Sequence, residues 1–162
     1  MTRKNAPHNQ SPQSNQVLRR FRVVFNAVRT HFKQIEKQVG LGGAQVWALS
    51  VISAQPGIGM GELARCMDVH QSTASNLVRA LQQKELIRMD KDAYDKRHVH
   101  LYTTPPALEL LARAPGPLEG VLPAALELLS PQTLERLDQD LAELITLLKA
   151  DEAAGRIPLA QL

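Results

Sequence analysis

The stretch GELARCMDVHQSTASNLVRALQQKELIRM, residues 61–89, decides the fold of this chain. Leu63, Ala64 and Met67 share one face if residues 61–69 form a short helix. After a connection of three or four residues, a second helix is predicted over residues 72–86. Its predicted buried positions are Ala74, Leu77, Val78 and Leu81. Two short helices with so tight a connection are typical of a helix-turn-helix.

Two strands are predicted directly after the second helix. Residues 87–89 and residues 97–104 flank the polar loop 90–96, and Val99 and Leu101 are alternating apolar positions of the second strand. A hairpin in this place forms a wing beside the two helices. The sequence therefore predicts a mainly α protein with a small β wing, built around a winged helix-turn-helix domain over residues 41–104.

The outward face of the second helix carries side chains suited to reading DNA. Asparagine and glutamine can pair with adenine, arginine with guanine, and serine or threonine with bases or phosphates. No carboxylate occurs on this helix before Glu85, so nothing in its first turns repels phosphate. The wing adds lysine and arginine, although together with Asp90, Asp92 and Asp95 its composition alone is that of a neutral turn. The candidate DNA-binding residues are Gln71, Ser72, Thr73, Ser75, Asn76, Arg79, Lys91, Lys96 and Arg97. The competing interpretation is an ordinary solvated helix face.

The charge is divided unevenly along the chain. Residues 16–104 carry 13 Lys and Arg against 7 Asp and Glu, a net charge of +6, whereas residues 105–162 carry 4 against 9, a net charge of −5. A basic body followed by an acidic region indicates that the body faces a polyanion, most often a nucleic acid.

Two long helices with narrow apolar seams flank the winged domain. Their residues follow one another at spacings of three and four, which favours packing along another long helix. The compact unit between them leaves both seams free for a second copy, so we expect a dimer with intertwined ends. Packing of both seams within one monomer is the alternative. The candidate interface residues are Leu18, Phe21, Phe25, Leu134, Leu137, Leu141, Leu144 and Leu148.

These features divide the chain into four parts around the winged domain. Residues 1–15 have almost nothing to bury and are predicted to be a disordered arm. Residues 16–40 and residues 105–150 are predicted to form the helical dimerisation region, with a break at the Pro-Gly-Pro sequence of residues 115–117. Residues 151–162 are predicted to be a C-terminal tail.

Several function classes are disfavoured by the sequence. It shows no paired carboxylates in a plausible pocket, no glycine-rich phosphate loop and no nucleophile with a base, so we expect no enzyme and no cofactor. His98 and His100 alternate on one strand without further ligands, so no metal site is predicted. No segment has the length or apolar character of a membrane span or signal peptide, so we expect a cytoplasmic location without membrane contact.

The run LARCMDVHQSTASNLVRALQQKELI at residues 63–87, followed by the wing sequence DKRHV at residues 95–99, resembles the MarR family of bacterial transcriptional regulators. The resemblance implies a homodimer joined by its terminal helices, with the second motif helix in the major groove. It also implies that Arg97 is the wing arginine that reaches the minor groove and that Asp95 supports the wing. Small aromatic effectors of the family bind between the dimerisation and DNA-binding parts, which makes Arg29, His31 and Trp47 candidate effector residues.

The resemblance therefore implies a sequence-specific repressor that binds double-stranded DNA at a pseudo-palindromic operator and is released by a small aromatic ligand. The alternative function is a winged-helix module for protein–protein assembly without specific DNA binding. Exposed apolar residues on the second motif helix would favour that alternative.

Overall fold

The computed structural model describes residues 11–91 and 99–161, which form a helical body with one small antiparallel sheet. The helices in chain order are α1 (Pro12–Val39), α2 (Gly43–Ala54), α3 (Met60–Cys66), α4 (Gln71–Gln83), α5 (Pro105–Arg113), α6 (Val121–Glu127) and α7 (Pro131–Leu148). The strands are β1 (Ile58–Gly59), β2 (Ile87–Lys91) and β3 (Val99–Thr103), and two 3₁₀ turns follow α7 at Glu152–Arg156 and Leu159–Gln161. The predicted fold class, mainly α with a small β wing, is confirmed. None of the described helices is long and apolar enough to cross a membrane.

Helix α1 begins earlier than the sequence analysis predicts. The Ser11 hydroxyl oxygen accepts a hydrogen bond from the backbone N–H of Ser14 at 3.1 Å, and Pro12 occupies the first turn. Serine followed by proline is a strong helix start, which apolar periodicity does not detect. The predicted disordered arm is therefore wrong for residues 12–15, which are helical, while residues 1–10 lie outside the described part of the chain. The helix ends at Gly40, whose φ of +69° favours glycine.

The core lies around α2 and the helix-turn-helix. Helix α2 contacts α3, α4 and β3. Its residues Val46, Leu49 and Ile52 are fully buried, because their spacing of three places them on one face of the helix. The other large side chains that are less than 2% exposed are Ile35, Leu63, Met67, Val78, Leu81 and Leu101. The core positions predicted for both motif helices are confirmed.

The wing sheet has three strands in the order β1-β3-β2, one more than predicted. In the β2–β3 hairpin, Met89 lies opposite Leu101. The additional strand β1 places Ile58 opposite Leu101, in a segment that the sequence analysis treats only as a link rich in turn residues. A strand of two residues has no periodicity to recognise, and pairing with β3 determines it.

The segment between the wing and α7 follows the predicted breaks. Helix α5 ends at Arg113, before the Pro-Gly-Pro sequence of residues 115–117. Helix α7 begins after Ser130, whose hydroxyl oxygen accepts a hydrogen bond from the backbone N–H of Thr133 at 3.2 Å. At the start of α5, the Thr104 hydroxyl donates to the carbonyl of Glu85 at 2.9 Å and so ties α5 to the end of the α4 region.

The C-terminal segment folds back onto the body. After the 3₁₀ turn Glu152–Arg156, Pro158 is buried and Ala160 packs against the core. The final turn Leu159–Gln161 contacts both α1 and α2. The segment predicted to be a C-terminal tail therefore packs against the helical body as far as residue 160.

Candidate nucleic-acid interface

Helix α4 separates a buried apolar face from an exposed polar one. The buried residues are Ala74, Leu77, Val78 and Leu81. On the other side, Gln71, Ser72, Asn76 and Arg79 are exposed, while Thr73 and Ser75 are half-buried. The structure thus places the six predicted helix residues on or beside one polar surface, with Thr73 and Ser75 nearer the protein body. We refer to the exposed set Gln71, Ser72, Asn76 and Arg79 as the α4 surface.

The turn between α3 and α4 fixes the direction of this surface. The backbone N–H of Val69 donates to the carbonyl of Ala64 at 2.9 Å, while Asp68 turns the chain with a φ of +48°. Met67 is 1% exposed and anchors the turn in the core. The first turn of α4 contains no acidic residue, so its unpaired backbone N–H groups present a positive potential to an incoming anion.

The wing places further charge beside the helix-turn-helix. Lys91 is exposed at the end of β2, and Arg88 forms an ion pair with Asp90 while lying 4.3 Å from the centre of the Tyr102 ring. His100 contacts the carbonyl of Gly57 through Nδ1 at 3.0 Å, which ties β3 to the link before β1. The predicted wing residues Asp95, Lys96 and Arg97 lie outside the described residues, as does His98.

Arg65 is a cation that the sequence analysis did not select. It is exposed near the end of α3 and lines a cavity of about 530 Å³ together with Gln71 at the start of α4 and Val99 of β3. Within the described residues it forms no ion pair. Arg65 therefore lies where α3, α4 and the wing meet, and its position follows from the packing of three elements that are separate in sequence.

The apolar seams of α1 and α7 remain largely uncovered in the single chain. Helix α7 has no buried residue, and Leu134 and Leu141 are each 36% exposed. On α1, Leu18 and Phe25 are exposed and Phe21 is half-buried, whereas farther along the helix Ile35 enters the core. Of the other predicted interface residues, Leu148 is exposed and Leu137 and Leu144 are half-buried.

A groove of about 500 Å³ runs between the two seamed helices. Its apolar wall includes Phe21, Val24, Leu137, Leu141 and Leu144. The structure thus brings residues from both predicted seams to one uncovered apolar groove.

The three candidate effector residues do not converge on one cavity. Arg29 lines a cavity of about 530 Å³ beside α1, and Trp47 lines a neighbouring cavity of about 180 Å³ beside the α3–α4 turn. Phe32 lies in the wall of both. His31 is 7% exposed and bonded to the protein itself, because its Nε2 donates to the carbonyl of Pro117 at 2.9 Å.

We expect His31→Ala to lower the free energy of unfolding by about 1–3 kcal/mol, since it removes a buried side chain and a hydrogen bond between α1 and the Pro-Gly-Pro segment. Urea unfolding at one fixed protein concentration measures the change. His31→Gln keeps an N–H donor and should lose less stability. An unchanged midpoint for His31→Ala would show that this contact does not stabilise the fold.

Comparison with known proteins connects this architecture to a family. A model of the MarR family matches residues 39–98, which span the end of α1 and most of the winged helix-turn-helix. A protein of Thauera aromatica, assigned as a transcriptional regulatory protein for the hcr operon, is 34% identical over 87 residues. That match covers 54% of this chain and 52% of the relative, so the chain spans about half the length of the curated relative it matches.

Solved structures extend the likeness over more of the fold. The crystal structure of MarR is 28% identical with a TM-score of 0.51, covering 59% of this chain and 70% of that chain. A MarR-family regulator of Streptomyces coelicolor, solved in complex with DNA, has a TM-score of 0.59 at 23% identity and covers 93% of this chain and 96% of that one. The winged helix-turn-helix at residues 39–98 is thus similar to the MarR family model, and the fold around it is similar to the crystal structure of MarR.

Proposed function

We propose that the chain is a transcriptional regulator that binds a pseudo-palindromic DNA operator as a homodimer in the bacterial cytoplasm. The observation that carries the proposal is the α4 surface, where amide, hydroxyl and guanidinium groups stand exposed above a fully apolar buried face. In a helix-turn-helix, the second helix enters the major groove with its N-terminal residues at the base edges. Gln71, Ser72 and Asn76 occupy that part of α4.

Each side chain of the α4 surface has a separate role in the proposed complex. Asn76 offers a donor and an acceptor that match the adenine edge, so we assign it to base reading. Arg79, nearly one turn farther along, reaches guanine or a phosphate. Ser72 lies in the first turn of α4, where its hydroxyl and the free backbone N–H groups suit a phosphate.

The wing completes the contact in the neighbouring minor groove. Lys91 is exposed at the end of β2. By family resemblance Arg97 inserts into the groove and Asp95 supports the wing, and we assign Lys96 to the DNA backbone. A narrow A·T-rich minor groove attracts arginine through its enhanced negative potential. These residues position the wing, whereas the α4 surface reads sequence.

Dimerisation supplies the second half of the operator contact. The groove between α1 and α7 and the exposed leucines beside it are covered when the same helices of a second copy pack against them. Obligate dimers bury upward of about 2,000 Å², which helices as long as α1 and α7 can provide. Two-fold symmetry then presents two α4 surfaces about 34–36 Å apart, one turn of DNA.

We propose that the dimer represses and that a small aromatic ligand releases it. A dimer seated on two successive major grooves blocks that stretch of duplex to other proteins. The cavity beside α1 has an aromatic wall in Phe32. Its two cationic groups, Arg29 and Lys33, outnumber the carboxylate of Glu36, which suits an aromatic acid. A ligand releases DNA only if it binds the non-binding form more tightly, so operator affinity should fall with its concentration.

The alternative is a winged-helix module for protein assembly. Such a module requires an exposed apolar surface on the helix-turn-helix. The large exposed hydrophobic side chains of the described residues lie instead on α1, α5, α7, the turn at residues 128–129 and the C-terminal segment. The α4 surface therefore favours DNA over a protein partner.

Arg65→Ala tests the DNA-binding surface by its salt dependence. We expect it to weaken binding to operator and random duplex alike and to reduce the logarithmic salt slope by about one unit for each phosphate that Arg65 neutralises. Fluorescence anisotropy of labelled duplex across a salt series measures both. Arg113→Ala on α5 removes the same charge away from the α4 surface and should leave the slope unchanged. Equal slopes for Arg65→Ala and wild type would remove Arg65 from the interface.

A further inference from the structure

The C-terminal segment separates two cavities that share a wall. Leu159 and Ala160 line both the cavity beside α1 and the cavity beside the α3–α4 turn, and Phe32 and Gly43 complete the shared wall. The cavities measure about 530 Å³ and about 180 Å³. Without residues 157–160, one continuous crevice would run from α1 to the turn before α4.

The segment is held in this crevice by apolar contact. Pro158 is buried and Ala160 packs against the core, while Ile157 and Leu159 remain 40% and 39% exposed. Among the described residues, no hydrogen bond joins residues 157–160 to α1 or α2. Segments held by a few apolar contacts open at low free-energy cost compared with the core.

The inner part of the crevice has the character of a ligand site. Its wall combines Trp47, Phe32 and Met67 with the turn residues Asp68 and Val69. Aromatic and thioether groups around a concave space suit a planar apolar ligand. Val69 lies two residues before Gln71, so movement of this wall reaches the first turn of α4 directly.

We propose that residues 157–160 form a built-in plug over an apolar ligand site, and that a small planar apolar ligand enters by displacing the plug. Displacement of the plug removes its contacts with the α3–α4 turn. The turn can then move, and the position of α4 relative to α1 changes. The regulatory consequence rests on the proposed DNA-binding function, whereas the plug itself does not. The plug therefore also sets how readily an effector gains access to the crevice.

The single tryptophan of the chain reports on the plug without DNA. Trp47 is half-buried beside the segment, so plug loss exposes its indole to solvent and to a quencher. The variants are a chain ending at Arg156 and the full-length Leu159→Ser. The matched control is Leu108→Ser, which removes a leucine that is 50% exposed on α5 and lines neither cavity.

We expect the truncated chain to show a red-shifted Trp47 emission and an acrylamide quenching constant raised by about two-fold, with Leu159→Ser intermediate and Leu108→Ser equal to wild type. Binding of 1-anilinonaphthalene-8-sulfonate, an anionic dye whose aromatic rings bind apolar sites, should increase in the same order. Circular dichroism establishes that each variant is folded. If the truncated chain fails to fold, the Leu159→Ser measurement decides.

Unchanged Trp47 quenching and dye binding in the folded variants would overturn the plug. A response of Trp47 and the dye in the variants, together with a wild type that binds no DNA, would support the plug and count against the proposed regulator. If trypsin cleaves after Arg156 no faster in wild-type protein saturated with the dye than in the undisturbed chain, the ligand does not enter by displacing the plug.

Discussion

Leu141→Glu is expected to convert the dimer into a monomer and to abolish operator binding at concentrations where the wild type is bound. Leu141 is 36% exposed in the single chain and lines the apolar groove between α1 and α7. The substitution puts a carboxylate into the proposed interface, and symmetry puts it there twice. At about 2 kcal/mol for each poorly compensated polar group, the dimer dissociation constant should rise by about 1,000-fold.

Analytical ultracentrifugation over a range of protein concentrations measures this change. The matched control is Gln139→Glu, which adds the same charge at an exposed position of α7 outside the predicted seam. We expect that control to remain dimeric. A wild type that sediments as a folded monomer at micromolar concentration, or a Leu141→Glu variant that stays dimeric, would contradict dimerisation through these helices.

Asn76→Ala is expected to cost about 1–3 kcal/mol of binding free energy in each half-site, because it removes paired hydrogen bonds to a base edge. Both half-sites are affected in a symmetric dimer, so affinity for the operator should fall by at least about 30-fold. Binding to random duplex, which depends on phosphate contacts, should change little. Asn76 is exposed on α4, so the substitution leaves the helix core intact.

Anisotropy titrations of operator and random duplex with the same protein preparations measure this difference. Gln83→Ala serves as the control, since Gln83 is an exposed amide at the far end of α4 and should lose little affinity on either duplex. Equal losses on the two duplexes for Asn76→Ala would show that this residue does not read bases.

The elements with strong local signals could be predicted from the sequence. The spacing of apolar residues predicts which face of α4 is buried. A helix that buries Leu77 and Leu81 on one face must have Asn76 and Arg79 on another. Gly40 and Ser130 likewise mark helix ends through their own backbone chemistry. For these elements, residues close together in the sequence largely determine where the helix ends lie and which face is buried.

The features that depend on distant contacts could not be predicted in this way. Strand β1 exists because Ile58 pairs with Leu101, forty-three residues away along the numbering. Arg65 comes beside Gln71 and Val99 through the packing of α3, α4 and the wing. Pro158 is buried because it fits a crevice between other elements. Residues 151–162 carry no apolar periodicity that would predict this contact.

The surroundings of the candidate effector residues also depend on contacts between residues far apart in the sequence. The sequence places His31 one position from Phe32, yet the fold turns the imidazole inward to the carbonyl of Pro117, eighty-six residues away. Arg29 and Trp47 reach different cavities because the C-terminal segment lies between them. The family resemblance predicted one effector site here, whereas packing separates its three candidate residues.

Selection of bound sequences from random DNA duplexes by the purified wild-type chain tests the central claim most directly. The account predicts enrichment of one pseudo-palindromic sequence whose half-sites are centred about 34–36 Å apart, one turn of DNA. Asn76→Ala should lose preference at one position in each half-site. Selected pools that match the starting pool in sequence, or enrichment that is the same for Asn76→Ala, would contradict sequence-specific operator binding through α4.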